Sequence, residues 1–206
     1  SDYPDIPLVL DPVLASGRGD ELATEEMLEA IRELLLPQTT VLTPNSMEAR
    51  RLAEEEEDED APDLPSCAQR LISLGCEYVL VTGTHENTPK VINTLYGENG
   101  QVRSDRWDRL PGSYHGSGCT LASAVAANLA NGLDVADAVR DAQEYTWQSL
   151  ANGFRPGMGQ HIPDRFFWAR NVEPEAEASP EAASGPGAES DAEAGIETVI
   201  TPVPHV

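Results

Sequence analysis

Basic residues are scarce in this chain: 13 Lys and Arg stand against 36 Asp and Glu, a formal net charge of −23. A surface so poor in cations argues against nucleic acid as a partner, because binding a phosphate backbone needs a basic face. Long apolar runs are lacking too. No stretch approaches the roughly 20 apolar residues that cross a bilayer, and Ser1-Asp2-Tyr3-Pro4 has none of the basic-then-apolar character of a secretory signal. No membrane partner is expected. Cysteine is rare: Cys67, Cys76 and Cys119 are odd in number and share no metal-ligand spacing. A disulfide framework is not expected, and a reducing cytoplasm fits best. His85 and His115 read as hydrogen-bonding loop residues, and no metal triad is apparent.

The acidic excess is concentrated in two places. One is the run Glu54-Glu55-Glu56-Glu57-Asp58-Glu59-Asp60; the other is the segment after Asn171, which has acidic residues and no Lys or Arg. Both read as solvated, self-repelling chain. The second, rich in Glu, Ala, Pro, Ser and Gly, has too little apolar surface to offset its ordering entropy. The expected organisation is one domain over residues 1–170 and a disordered acidic tail over 171–206.

Before that tail, strand and helix patterns alternate. Pro7-Leu8-Val9-Leu10, Thr40-Val41-Leu42-Thr43 and Tyr78-Val79-Leu80-Val81 are short apolar runs of the kind buried on both faces of a parallel sheet. Thr24 caps a helix carrying Met27, Leu28, Ile31, Leu34 and Leu35 at helical spacing, which Pro37 ends. Further helices are expected from Ser46 to about Glu54, around Cys67–Leu74 up to Gly75, over Ser117–Leu129 and over Val135–Ala151. Segments near Val91–Tyr96 and Val102–Leu110, joined by Gly97-Glu98-Asn99-Gly100, read as a hairpin. The expected class is α/β, with a mainly parallel sheet flanked by helices.

Four segments bear chemistry. In His115-Gly116-Ser117-Gly118-Cys119, two glycines flank a serine just before an Ala-rich helix. Glycines let backbone N–H groups converge, and a helix start adds unpaired donors and positive potential; together they cradle an anion such as phosphate. The same glycines would also serve a tight strand-to-helix turn, and local grammar leaves the two readings level. Cys119 falls in the first turn, where a thiolate is favoured, although a cysteine is more often a small buried apolar residue. Thr43-Pro44-Asn45-Ser46-Met47-Glu48 follows a strand end; Asn45 and Glu48 could hold Mg²⁺ through water or could form a capping box. Asp11, before Pro12-Val13, could face the same metal or simply end its strand. Thr82-Gly83-Thr84 is placed to touch nucleotide phosphates or ribose.

Taken together, these segments resemble hydroxymethylpyrimidine/phosphomethylpyrimidine kinase of thiamine biosynthesis, a branch of the ribokinase-like superfamily. The resemblance runs from about Pro7 to Trp168, through Gly157-Met158-Gly159-Gln160-His161. It implies the C-terminal portion of a ribokinase-like fold, and ATP- and Mg²⁺-dependent phosphorylation of 4-amino-5-hydroxymethyl-2-methylpyrimidine and then of its monophosphate. Gly116, Ser117 and Gly118 would form the anion hole, and Cys119 would take the place of the usual Asp base. Asn45 and Glu48 would serve magnesium and phosphate, with Asp11 a weaker carry-over, and Thr82, Gly83 and Thr84 would meet the nucleotide. Many relatives have Lys where Thr82 stands. The family also begins with βα units that would precede Ser1, so the expectation is a portion of a longer kinase. A homodimer is implied as well. A pyridoxal-type vitamin kinase, or a nucleotide-binding module without an acceptor site, are the alternatives.

Overall fold

The computed structural model describes residues 5–15, 22–54 and 62–171. The loop Ser16–Asp20, all but the first residue of the acidic run, and the expected tail from 172 onward lie outside the described residues. A compact unit reaches Phe167; a separate unit begins at Trp168.

Five strands form one mixed sheet in chain order: β1 (Val9–Leu10), β2 (Val41–Leu42), β3 (Tyr78–Thr82), β4 (Lys90–Gly97) and β5 (Gly100–Asp108). The first three are parallel, with Val9 beside Val41 and Val41 beside Tyr78. β4 then joins β3 antiparallel, and β4–β5 is the expected hairpin. Among the described residues β1 sits at an edge, paired only with β2.

Alternate residues of each strand face opposite sides of a sheet, and here each side has its own core. Leu42, Val79, Val81 and Tyr96 pack with Leu28, Leu36, Leu52, Cys67 and Leu71 from the helices before β3. Val41, Leu80 and Leu95 pack with Leu121, Val125, Val139 and Ala142 from the two helices after β5. This three-layer arrangement is why the strand sequences read as unbroken apolar runs. Each fully buried Leu or Val contributes about 1.5–3 kcal/mol.

The helices are α1 (Glu25–Ala30), α2 (Ser46–Ala53), α3 (Leu64–Ser73), α4 (Ser117–Ala130) and α5 (Val135–Ala151). Side-chain caps start four of them: Thr24 accepts from Met27 N, Asn45 from Met47 and Glu48 N, Asp63 from Ser66 N, and Asp134 from Asp137 N. The continuous helix expected from Thr24 to Pro37 is instead broken. After Ala30 the chain widens into a π-helical stretch, Ile31–Leu35, and then tightens into a 3-10 turn, Leu36–Gln38, that contains Pro37. A π turn holds more residues than an α turn and so rotates the side chains beyond it about the helix axis. Leu34 is 62 % exposed as a result, and Leu36 is fully buried. Among the described residues no helix is long and apolar enough to cross a membrane.

Candidate active site

The parallel register brings the ends of β1, β2 and β3 to one edge of the sheet, the carboxyl edge where open α/β sheets bind ligands. Asp11 follows β1, Asn45 opens α2 after β2, and Thr82 closes β3. Asn45 and Thr82 form a parallel bridge, with Thr82 N donating to Pro44 O at 2.9 Å. Gly83 is held by a bond from its N–H to Asn93 Oδ1, 3.1 Å. A Cβ at Gly83 would lie 2.3 Å from Ile92 O, so no other residue fits. Thr84 is exposed, and its carbonyl accepts from Arg109, which also donates to the carbonyls of Glu86 and Thr88.

Asn45 and Glu48 form the capping box in full. Asn45 Oδ1 accepts from Met47 N and Glu48 N, both at 2.9 Å, and Glu48 Oε2 accepts from Asn45 N at 2.9 Å. Glu48 Oε1 accepts in addition from Leu14 N, 3.2 Å away, which ties the loop after β1 to the head of α2. That loop bends sharply. Val13 has φ 38, a conformation strained for a β-branched residue and of the kind that gathers at functional sites.

Asp11 connects these pieces to α4. Its Oδ2 lies 3.3 Å from where a Cβ on Gly118 would stand. Burial raises its pKa above the ordinary carboxylate value, the nearby charge of Glu48 raises it further, and a hydrogen bond with the Cys119 thiol pulls it down. Asp11 is therefore brought to Gly118 and Cys119, with the charge of Glu48 close by. Cys119 is an exposed free thiol, whereas Cys67 and Cys76 are buried, and burial pushes the Cys76 thiol up to about 12.

The head of α4 differs from the other helix starts. Gly116 is its N-cap in the left-handed conformation, φ 86 and ψ 12, and no side chain caps the first turn. The N–H groups of Ser117, Gly118 and Cys119 precede the first intrahelical donor, Thr120 N, which bonds Gly116 O. The preceding loop is fixed from the C-terminal side: His115 N donates to His161 O, and His161 N to Ser113 O, both at 2.9 Å. His115 and His85 are exposed loop residues.

Several residues of this edge carry no motif. Asn93 holds Gly83, and its Nδ2 donates to Gln143 Oε1 on α5 at 2.9 Å. Arg165 Nε donates to Thr120 Oγ1 at 3.1 Å. Only Asn93 left a trace in the sequence, as a polar residue at an inward position of an alternating strand. A cleft of about 570 Å³ opens elsewhere, between the start of β3 and the β4–β5 turn, lined by Cys76, Tyr78 and Gly97–Val102, and includes none of these residues.

An α/β sheet with an uncapped, glycine-bounded helix head at its carboxyl edge suits a phosphate-binding enzyme, and among such folds this one is that of the ribokinase-like kinases. Pyridoxal kinase of Staphylococcus aureus in complex with AMP-PCP superposes with a TM-score of 0.70 at 29 % identity, over 80 % of this chain and 60 % of that one. The chain belongs to the phosphomethylpyrimidine kinase family, whose sequence profile matches residues 1–164. Hydroxymethylpyrimidine/phosphomethylpyrimidine kinase of Streptomyces coelicolor is 40 % identical over 156 residues, 75 % of this chain and 57 % of the relative. Pyridoxine kinase of Bacillus subtilis is 35 % identical over 71 % of this chain and 55 % of its own length. The chain thus spans little more than half the length of these relatives.

Proposed function

We propose that this chain is the ATP- and phosphate-handling part of a kinase that phosphorylates hydroxymethylpyrimidine and its monophosphate in thiamine biosynthesis. The observation that carries this reading is the approach of Asp11, itself within reach of the Glu48 charge, to Gly118 and Cys119 at the uncapped head of α4. A cytoplasmic enzyme is in keeping with an exposed free thiol.

In this reading the N–H groups of Ser117, Gly118 and Cys119 donate to the oxygens of the transferring phosphoryl group, and the helix dipole favours the charge gathering there. Thr82, Gly83 and Thr84 line the nucleotide side, with Gly83 held rigidly by Asn93. The acceptor hydroxyl attacks the γ-phosphorus in line; its O–H bond breaks as the new O–P bond forms, and ADP leaves. Cys119 takes the hydroxyl proton as general base. Asp11 lies near enough to Cys119 to give that proton a carboxylate neighbour.

The residues present fit Mg²⁺. Asp11 and Glu48 offer hard oxygens, and each Glu48 oxygen has accepted one backbone N–H and retains a further lone pair; Asn45 Oδ1 is committed to Met47 N and Glu48 N, so Asn45 would act through water by its amide N–H. A cation would also offset the burial, and after it the repulsion from Glu48, that raise the Asp11 pKa. Bound there, the ion would neutralise the nucleotide phosphates, while Asp11, Asn45 and Glu48 hold it directly or through water.

The test is ATP-dependent turnover of the pyrimidine alcohol by the intact enzyme that contains this chain and by its Cys119→Ala variant. The variant is expected to lose about 10²–10⁴-fold in kcat while still binding nucleotide. An unchanged rate removes Cys119 from the base role, and no turnover by the unaltered protein removes the substrate assignment. The similarity to pyridoxine kinase favours a second reading, in which pyridoxal-type alcohols are the acceptors. A panel of both substrates separates the two.

A further inference from the structure

Two charged side chains reach the head of α4. Asp11 lies against Gly118, while Arg165 lies against Gly116 and Thr120. Residues 116 and 120 share a flank one turn apart, and position 118 points roughly 200° round the axis from 116. An acid and a base therefore bracket the same set of uncapped N–H groups.

Arg165 is fixed in that position. The neighbouring Asp164 N donates to Ser149 O at 2.8 Å, and Arg165 O accepts from Tyr145 OH at 2.9 Å, so α5 anchors its backbone. Its Nε donates to Thr120 Oγ1, which is itself committed to Gly116 O at 2.7 Å. Nη2 then stands 3.2 Å from where a Cβ on Gly116 would be. A side chain at Gly116 would crowd the guanidinium, which is a second reason for glycine beside the left-handed φ.

The terminal nitrogens of Arg165 meet no carboxylate among the described residues, although acids outnumber bases 36 to 13. By contrast Arg50 is paired with Glu86, Arg51 with Glu54, and Arg103 with Asp105. A planar fork held by one nitrogen and open at the other two matches an oxyanion. On the opposite flank, Asp11 would repel one.

We infer that Arg165 is a phosphate-binding residue of this site: its Nη groups donate to an oxygen of the phosphoryl group held at the head of α4. This rests on the kinase reading above. It assigns the cradle's positive charge to the segment after α5, outside the four segments that carry the sequence motif.

The experiment titrates the purified protein, Arg165→Ala and Arg165→Lys with Mg·AMP-PCP, which keeps a third phosphoryl group that cannot be transferred, at low and high salt, alongside thermal unfolding without ligand. Arg165→Ala is expected to bind at least roughly tenfold more weakly, with a shallower salt dependence and a similar unliganded Tm. Arg165→Lys should recover part of the affinity, because charge remains although the fork is lost. Equal affinity in the unaltered protein and Arg165→Ala would overturn the inference and leave the kinase reading standing. So would an affinity loss that is the same in both variants and tracks a lowered Tm, since a purely structural arginine behaves that way. Failure of the unaltered protein to bind Mg·AMP-PCP would bring down both.

Discussion

Asp11 is subject to opposed influences: burial and Glu48 disfavour its charge, and the Cys119 hydrogen bond favours it, with burial the largest. The net effect is a folded-state pKa above the unfolded one. The folded protein therefore binds more protons than the unfolded chain in the window just above the ordinary Asp pKa of about 3.9, so stability from this group falls as pH rises through that window. Asp11→Asn should accordingly unfold at a higher temperature than the unaltered protein at pH 7. The gap should close as both are acidified below that ordinary value, when Asp11 is neutral in either state. Thermal unfolding over a pH series checks this; a lower Tm for the variant at pH 7 would mean that the thiol bond outweighs burial. Such a charge, retained at a cost, is what a site awaiting a cation or a proton would show. Gly83 is governed by sterics instead. With Ile92 O at 2.3 Å from a Cβ, Gly83→Ala should cost about 1–3 kcal/mol in urea unfolding and weaken nucleotide binding with it.

Among the elements, α5 does more than cover the sheet. Gln143 accepts from Asn93 Nδ2 and from Trp107 Nε1, and donates to Asp105 Oδ2 and Val139 O. Asp105 also pairs with Arg103, and Arg140 lies over the Trp107 ring at 4.8 Å. A buried network of this kind is stable only while every member is satisfied. Gln143→Leu should therefore destabilise by about 2–4 kcal/mol, measured by denaturant titration, because it strands the Asn93 and Trp107 donors. The same elements show what local sequence can and cannot convey. Helices α2 and α5 were readable because a cap, a 3.6-residue period and a stop signal coincide within one window, as in Asp134 to Asn152. The stretch after Ala30 was not, because nothing in Ile31–Leu35 marks a change from α to π winding. Asp11, Glu48 and Cys119 could be expected to meet because each directly follows a strand or opens a helix. Arg165 and the Asn93–Gln143 bond could not, since partners 45 and 50 residues apart leave no local pattern.

At the scale of the whole molecule, the two acidic stretches differ in place: one, residues 54–60, falls between Glu48 and Thr82 in the sequence, and the other follows the sheet-edge residues. The strongly acidic segment after Asn171 lies beyond every residue assigned a role at the sheet edge. Removing residues 173–206 is expected to leave kcat/KM within about twofold, as for loss of a solvated segment, and an assay of the truncated protein decides it. A larger loss would give the tail a part in the site.

Strand order has a further consequence. β1 and β2 each contribute only two residues to the sheet, whereas β4 and β5 are joined through eight paired positions. Ribosomes deliver β1 ahead of the other four, yet so brief a parallel pair has little to hold it until β3 offers a flank that the hairpin has already stiffened. Among these five strands, synthesis and consolidation thus run in opposite directions. Amide hydrogens of Thr43 and its neighbours should accordingly trade with deuterium well before those of Leu80 and Leu95.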